Sequence, residues 1–382
     1  MDHRERVLTA LDHREPDRVP FDLGGTIATG IHLDAYRALR PALGLAPREP
    51  TVVDWVQHVA LVDDELKDRL EVDTAPVFAR PPALSRSRIE SDDEFDYRYD
   101  DAGIGWRCPK EGGLYHDLCF SPLAGAASAA EVDAHLLPDP LDPARTRGMR
   151  AEFLRIRHVE GRASCAWGFG GGVFEAAGWL RGIEQFYVDL AWYPALAGRI
   201  MDRLLERKVA WLERALAEYG DLLDVACEGD DLGGQATTLT SPEMFRRLVK
   251  PRMRDIFATI HARSGAKAFL HTCGAVREII PDLIEIGVDI LNPVQVSAAG
   301  METAELKREF GRELVFWGGG VDTQRVLGRG TPAEVRDEVR RRIDDLAPGG
   351  GFVFAAVHNI QADVPPENVL AMHAALHQHG RY

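Results

Sequence analysis

The sequence lacks long hydrophobic runs, clustered cysteines and clustered positive charge, and each absence excludes a class of protein. No apolar stretch approaches the roughly 20 residues of a membrane-spanning helix, and the charged start Met-Asp-His-Arg-Glu-Arg has no apolar signal-peptide core. The five cysteines are odd in number and scattered, which is typical of reduced thiols. A net charge of −15 without a basic patch argues against nucleic acid and anionic membranes as partners. We therefore expect a soluble, cytoplasmic protein.

What the chain does contain is an alternation of short apolar segments with longer segments of helical periodicity. Ser241-Pro242 and Thr331-Pro332 each place proline at a first helical position behind a capping hydroxyl. Eight candidate strands that alternate with helices predict an α/β fold, a TIM-type (β/α)8 barrel, with residues 1–382 as a single domain. The predicted strands are residues 19–22, 73–78, 163–167, 222–227, 267–271, 288–292, 314–317 and 352–356.

Approximately residues 91–122 interrupt this alternation. Short alternating segments are joined there by turns rich in aspartate and glycine, which predicts an antiparallel β-meander inserted into the barrel. We expect this insertion to pack over the barrel as a lid, with Trp106 and Tyr115 in the part that selects the substrate.

Polar and aromatic side chains recur where the predicted strands end. The carboxyl ends of the strands meet at one face of a barrel, and α/β barrels carry their active sites on that face. We predict a site there that combines metal ligands, acids and substrate-binding side chains. The predicted substrate-binding residues are Asp22, Trp106, Trp167, Asn292, Gln295 and Trp317.

His271 and Cys273 lie one residue apart at the end of the fifth predicted strand. Imidazole and thiolate are the donors that zinc-type metals prefer. His358, after the eighth strand, is the predicted third metal ligand, and Glu228 is a further candidate; three protein ligands suffice for a catalytic zinc. The alternative is an incidental pair, because cysteine is among the most commonly buried residues.

The turn Glu228-Gly-Asp230-Asp231 concentrates negative charge after the fourth predicted strand. It is either a solvated capping turn or a source of a general acid, since clustered carboxylates raise one another's pKa. We predict Glu228 and Asp230 as catalytic residues. The aromatic residues near the same face line a pocket or belong to the ordinary core; they are Trp55, Trp106, Trp167 and Trp317.

Several blocks of sequence resemble the uroporphyrinogen decarboxylase superfamily. They are Arg-Glu-Arg-Val at residues 4–7, His-Arg-Glu-Pro-Asp-Arg-Val-Pro at 13–20, the His-Thr-Cys-Gly block at 269–295, Trp-Gly-Gly-Gly-Val-Asp-Thr-Gln at 317–324 and His-Asn-Ile-Gln at 358–361. The resemblance covers essentially the whole chain and implies a TIM-type barrel that is frequently a homodimer.

Two motifs of the true decarboxylases are missing. Those enzymes carry Arg-Gln-Ala-Gly-Arg after strand 1, where this chain has Asp-Leu-Gly-Gly-Thr-Ile-Ala at residues 22–28. Their catalytic aspartate after strand 2 aligns with Arg80. The sequence is closer to the branch of zinc-dependent methyltransferases that work with corrinoid proteins, since that branch uses His-x-Cys after strand 5.

Membership of that branch implies zinc as a cofactor and a corrinoid on a separate partner protein. Thiol-methylating members have a further cysteine near strand 8, where this chain has His358. The resemblance therefore implies methyl transfer from a small donor, for example an aryl methyl ether, to or from that corrinoid. No corrinoid-binding Asp-x-His-x-x-Gly motif is present; residues 133–138, Asp-Ala-His-Leu-Leu-Pro, lack its glycine. The alternatives are a metal-free carboxy-lyase for a small carboxylated substrate and a non-catalytic barrel.

Overall fold

Seven parallel strands form the wall of a TIM-like barrel in the computed structural model, which describes residues 1–382. Their order in the sheet is their order in the chain, as expected for right-handed β-α-β connections. This arrangement confirms the predicted fold class. Numbered in chain order, the strands are β4 (Thr74–Val77), β9 (Ala163–Trp167), β10 (Val225–Gly229), β11 (Lys267–His271), β12 (Ile290–Asn292), β13 (Val315–Trp317) and β14 (Phe352–Val353).

The predicted first strand, residues 19–22, lies between β14 and β4 but is not a regular strand. Phe21 forms a single parallel bridge with Phe354, and its carbonyl accepts a hydrogen bond from the N–H of Asp73. The prediction of a full strand is wrong for a local reason. Pro20 has no N–H to give to a ladder, and the N–H of Phe21 is bound by the Asp73 carboxylate at 2.7 Å.

The interior of the barrel is a small apolar core formed by alternate residues of the strands. Phe269, Trp317 and Cys227 belong to it, and α1 (His3–Leu11) contributes Val7 and Leu11. Because successive side chains of a strand point to opposite faces, the residues that alternate with these point outward to the helices. This alternation decides which side chains reach the barrel mouth, the face formed by the carboxyl ends of the strands.

Thirteen further helices surround the strands, and none is long and apolar enough to cross a membrane. A larger apolar core fills the space between them and the sheet. The helices are α2 (Leu33–Ala42), α3 (Asp64–Arg69), α4 (Ala129–Ala134), α5 (Met149–Arg155), α6 (Glu175–Arg181), α7 (Ile183–Trp192), α8 (Pro194–Tyr219), α9 (Pro242–Met244), α10 (Lys250–Arg263), α11 (Ile280–Glu285), α12 (Thr303–Phe310), α13 (Pro332–Leu346) and α14 (Pro366–His379).

Two antiparallel sheets are added to the barrel. The predicted meander is confirmed as a four-stranded sheet, here called the insertion sheet: β5 (Arg88–Ser91), β6 (Phe95–Tyr99), β7 (Gly105–Pro109) and β8 (Asp117–Phe120). A smaller sheet, not predicted, pairs β1 (Ile31–His32) and β2 (Val52–Asp54) with β3 (Val59–Ala60). The N–H of His116 donates to the carbonyl of Val56, which joins the insertion sheet to the turn between β2 and β3.

Candidate metal centre and adjoining cavity

His271, Cys273 and His358 come together at the barrel mouth. His271 ends β11 and shares the inward face with Phe269, two residues earlier. Its Nε2 lies 3.5 Å from the Sγ of Cys273, and its ring centroid lies 5.1 Å from that of His358. Each residue offers one ligand atom, and these atoms lie within 4.8 Å of one another. Tetrahedral zinc with ordinary Zn–N and Zn–S bonds separates nitrogen from sulfur by about 3.6 Å, so the donor set fits a zinc ion.

Asn292 fixes the orientation of the His271 ring. Its Oδ1 lies 2.6 Å from His271 Nδ1, and its Nδ2 donates to the carbonyl of Trp317 at 2.8 Å. Since the amide nitrogen is committed as a donor, Oδ1 accepts the Nδ1–H of His271 and leaves a lone pair on Nε2 for a metal. Gln295 accepts the N–H of Gly274 at 2.8 Å and so holds the turn after Cys273. Both amides were predicted to bind substrate; in the structure they hold His271 and the turn after Cys273 instead.

Of the three candidate ligands, His358 would need the largest rearrangement to bind a metal. It has a φ of 68°, a backbone conformation that side chains other than glycine rarely adopt. Burial, and then the neighbouring His271, lower its pKa to about 4, so the ring is neutral at physiological pH. Its Nδ1 accepts the N–H of Asn359 at 2.8 Å, which places the ring proton on Nε2. To bind a metal through Nε2, the ring must move its proton to Nδ1. This shift requires the hydrogen bond from the N–H of Asn359 to Nδ1 to break.

Two carboxyl groups that the sequence analysis did not select lie around Cys273. Asp231 accepts the N–H of Cys273 at 2.8 Å and lies 3.8 Å from His271 Nε2. Burial, followed by the charges of Asp231 and Glu175, raises the pKa of the Cys273 thiol well above its usual value. Burial likewise raises the pKa of Glu175, the first residue of α6, with further contributions from Asp231 and Asp230. A cation would stabilise this concentration of acidic groups.

Glu228 lies outside the metal-binding group. It alternates with Cys227, which points into the barrel, so its side chain points outward to α8. There Lys208 Nζ lies 2.5 Å from Glu228 Oε2, with both side chains buried. The carboxyl group also fills the space beside Gly168, where a Cβ atom would come within 2.4 Å of Oε1. Strand alternation thus makes Glu228 a buried ion-pair partner rather than the predicted ligand or acid at the mouth.

Asp230 is buried and anchors the loop after β9. Its carboxylate accepts the N–H groups of Phe174 and Glu175 at 3.0 and 2.7 Å, and a Cβ on Gly172 would come within 2.1 Å of its carboxyl carbon. Burial raises the pKa of Asp230 to about 7, although those hydrogen bonds oppose the shift. A pKa near 7 suits a general acid, yet both of its oxygens are engaged by the backbone.

Asp22 and Trp317, both predicted to bind substrate, are structural. Trp317 is fully buried in the barrel interior, and its Nε1 donates to Asp22 Oδ2 at 2.7 Å. The other Asp22 oxygen accepts from Thr74 Oγ1 and the N–H of Gly25 at 2.6 and 2.8 Å. With both oxygens bound and the side chain enclosed, Asp22 has no free acceptor at the mouth.

A cavity of about 580 Å³ lies between the end of β9, α8 and the insertion sheet; we call it the donor cavity. Trp167 lies on the other side of the strand end: its ring lies 6.4 Å from that of His271, whereas the next residue, Gly168, lines the cavity. Trp106 is buried behind this cavity, edge-on to Trp55 and Trp179, which line it. Of the predicted aromatic substrate contacts, Trp167 lies beside His271, and Trp106 packs behind the wall of the cavity.

The donor cavity has a positively charged lining. Three arginines there have no carboxylate within salt-bridge distance: Arg98 lies 5.4 Å from the Trp55 ring, Arg145 lies 4.7 Å from the Phe169 ring, and Arg207 has a buried, unpartnered Nε. Two acids share the lining, but each accepts hydrogen bonds from nearby backbone N–H groups. The charged lining residues are Arg80, Arg88, Arg98, Arg145, Arg207, Lys208, Asp100 and Asp101.

The structure defines a TIM-like barrel with a candidate metal site at the C-terminal ends of its strands. Comparisons with known proteins identify the family. The family profile described as "Uroporphyrinogen decarboxylase (URO-D)" matches residues 126–379. A uroporphyrinogen decarboxylase of Alkalilimnicola ehrlichii is 24% identical over 386 aligned positions, which cover 98% of this chain and 93% of that protein. The chain belongs to the uroporphyrinogen decarboxylase family.

The solved structure of a methyltransferase from Methanosarcina mazei has the same fold. It superposes with a TM-score of 0.66 at 17% identity and covers 99% of both chains. At this identity the likeness shows the fold alone. The fold is thus shared across nearly the full length of the two proteins.

Proposed function

We propose that the protein is a zinc-dependent methyltransferase that moves a methyl group from a small methylated donor, for example an aryl methyl ether, to or from a corrinoid on a separate protein. The observation that carries this proposal is the group of His271, Cys273 and His358 at the barrel mouth. The fold shared with the Methanosarcina mazei methyltransferase supports it. The absence of an arginine at the position after the first strand distinguishes the chain from enzymes that bind porphyrinogen carboxylates there.

His271, Cys273 and His358 would hold the zinc, and Asn292 would keep His271 in the ligating tautomer. When bound, zinc supplies Lewis acidity toward the heteroatom of the donor or acceptor. Asp231 lies next to two of these ligands and balances the positive charge of the ion. The remaining chemistry belongs to side chains around the mouth.

Demethylation of an ether requires a proton for the leaving oxygen. The methyl carbon passes to cobalt(I), which supplies the electron pair for the new bond, while the oxygen keeps the pair of the broken C–O bond and takes a proton. Glu175 is the group best suited to hold that proton, because burial and two neighbouring carboxyl groups raise its pKa. Asp230 has a pKa of about 7, but both of its oxygens accept backbone N–H groups, so it would hold the start of α6 in place rather than donate the proton.

The donor cavity favours an anionic aromatic donor. Arg98, Arg145 and Arg207 have no carboxylate partner of their own, so a carboxylate on the donor would supply one. Trp55 and Trp179 give the cavity flat apolar walls that suit an aryl ring. A methoxybenzoate combines these features with the methyl ether that the reaction needs.

The corrinoid protein and a second copy of this chain are the proposed partners. The mouth is where a corrinoid must reach the donor, so we expect the corrinoid protein to dock over it. We also propose a homodimer, in keeping with the family. Sedimentation of the purified protein, alone and with a corrinoid protein, measures both associations.

The test combines metal analysis with a transfer assay. Protein purified with zinc is assayed for methylcobalamin formation from a methoxybenzoate and free cob(I)alamin. We expect transfer by the parent and loss of both transfer and mouth-bound zinc in Cys273→Ser, because two remaining ligands hold zinc poorly. Cys119→Ser, on the exposed face of β8, is the matched control and should retain both. Undiminished transfer by metal-free protein would overturn the proposal.

A second candidate is a metal-free carboxy-lyase, and the positively charged cavity also suits its carboxylated substrate. The same variants separate the two activities. A lyase would release carbon dioxide from a carboxylated substrate at the parent rate in Cys273→Ser. Loss of activity in Arg145→Met with retention in Cys273→Ser would favour this function.

A further inference from the structure

A second group of metal-ligating side chains lies away from the barrel mouth. His58, Cys108 and His116 each offer one ligand atom, and these atoms lie within 4.8 Å of one another. His58 comes from the turn between β2 and β3, Cys108 from β7, and His116 from the residue before β8. Neither the sequence analysis nor the proposed methyltransferase function uses any of them.

The geometry of this group matches a metal site. His58 Nε2 lies 3.2 Å from His116 Nδ1, and two imidazole nitrogens on a tetrahedral zinc ion are separated by about 3.3 Å. Cys108 and His116 are buried. Gly113 leaves room for the sulfur, since a Cβ there would come within 2.5 Å of Cys108 Sγ.

The neighbouring side chains narrow the ligand set to these three. His32 lies beside His58, with ring centroids 5.7 Å apart, but both of its nitrogens are used: Nε2 donates to the carbonyl of Leu114 and Nδ1 accepts the N–H of Asp34. Two nitrogens and one sulfur form a donor set that zinc prefers over harder cations such as magnesium or calcium.

We infer that His58, Cys108 and His116 form a second zinc site, which fastens the insertion sheet to the turn between β2 and β3. The two ligands of the insertion sheet flank the exposed loop between β7 and β8, and the third belongs to a separate sheet. A metal there cross-links elements that otherwise meet through few polar contacts, such as the bond from His116 N–H to the Val56 carbonyl.

The site also supports one wall of the donor cavity. The Trp55 ring lines that cavity and lies edge-on to His116, with ring centroids 5.4 Å apart. The same ring faces the guanidinium of Arg98. Zinc at the second site therefore holds two cavity-lining residues in place.

Zinc stoichiometry by mass spectrometry tests this inference without any assay of activity. We expect about two zinc ions per chain in the parent, about one in Cys108→Ser and in Cys273→Ser, and none in the double variant. Cys119→Ser, in the same insertion sheet, should keep the parent value. The single-site variants distinguish the two proposals: failure of the mouth site alone would leave one ion that Cys108→Ser removes.

Cobalt(II) titration provides a second readout for variants that fold poorly. In a Cys273→Ser background, cobalt should give a thiolate charge-transfer absorption that a further Cys108→Ser or His116→Ala change removes. Chelation of the metal in that background should raise the rate of proteolysis in residues 110–115 severalfold. A Cys273→Ser protein that binds neither zinc nor cobalt, or that binds them equally well after Cys108→Ser, would overturn the inference.

Discussion

Replacing Asn292 with alanine should weaken zinc binding at the barrel mouth without removing a ligand. Asn292 is fully buried and holds His271 Nδ1 at 2.6 Å, which keeps the lone pair of Nε2 directed at Cys273. Loss of a side chain that orients a metal-binding histidine typically costs tenfold to a hundredfold in affinity, or about 1.4–2.7 kcal/mol. The change also removes two buried hydrogen bonds, so the free energy of unfolding should fall by about 2 kcal/mol.

Competition with a chromophoric chelator at fixed pH measures zinc affinity, and thermal unfolding measures stability. Both measurements are best made in a Cys108→Ser background, so that zinc binds only at the mouth site. Asn368→Ala is the matched control, because Asn368 is also buried and its Nδ2 donates to the carbonyls of Leu327 and Gly330. It should lose stability and keep its zinc affinity.

One result would refute the proposed role of Asn292. If Asn292→Ala binds zinc as tightly as the Asn368→Ala control, His271 does not depend on Asn292 for its orientation. Its tautomer would then be set by the metal itself. A loss of affinity in both variants would instead show that general destabilisation, rather than ring orientation, controls the site.

Two further predictions concern buried charges. Asp73→Asn should lower the free energy of unfolding by about 3–5 kcal/mol, because Arg6 and Arg18 each lie 2.7 Å from its carboxylate and would lose their buried partner. Burial opposes ionisation of Asp73, yet the hydrogen bond from His3 and the charge of Arg18 prevail and lower its pKa. The difference in free energy of unfolding between parent and variant therefore has its full value above about pH 4. It shrinks as the pH falls through the pKa of Asp73 in the folded state. Lys208→Met should cost a similar 3–5 kcal/mol, because Glu228 would keep a buried, unpaired charge.

Matched variants check both predictions by urea or thermal unfolding. Asp337→Asn removes a carboxylate whose side chain is 76% exposed and should change stability by less than about 1 kcal/mol at any pH. Combining Lys208→Met with Glu228→Leu should recover most of the loss, since replacement of a whole buried pair by apolar groups is often neutral. A double variant as unstable as Lys208→Met alone would contradict the buried-charge explanation.

The fold was predictable because short apolar runs, typical of parallel strands buried on both faces, are separated by segments of helical periodicity. The β9 and β11 boundaries, residues 163–167 and 267–271, were predicted to the residue. The segment at 19–22 failed because a ladder depends on backbone donors, and Pro20 has none while Asp73 takes the next one. The sheet of β1, β2 and β3 was missed because strands of two or three residues carry no periodic signal.

The positions of the site residues were predictable only where the geometry of a strand determines which way a side chain points. In a strand, residues two apart point to the same side, so His271 points into the barrel like Phe269. In β10, Cys227 points into the barrel, so the next residue, Glu228, points away from it. The structural roles of Asn292 and Trp317 follow from hydrogen bonds between strands, which a single sequence does not reveal. The unpaired arginines of the donor cavity come from separate elements, Arg98 from β6, Arg145 from the turn before α5 and Arg207 from α8, so no local pattern marks them.

Gly168 and Gly172 border the acidic side chains of β10 so closely that neither position tolerates a larger residue. A methyl group at either would collide with the carboxyl group of Glu228 or Asp230. Gly168 also lines the donor cavity, so this part of its wall has no room for a larger residue, whereas the insertion sheet contributes exposed lining residues such as Arg88 and Ile89. Relatives that accept different substrates should therefore differ mainly in the insertion sheet. Substitutions designed to change substrate preference are best made in that sheet.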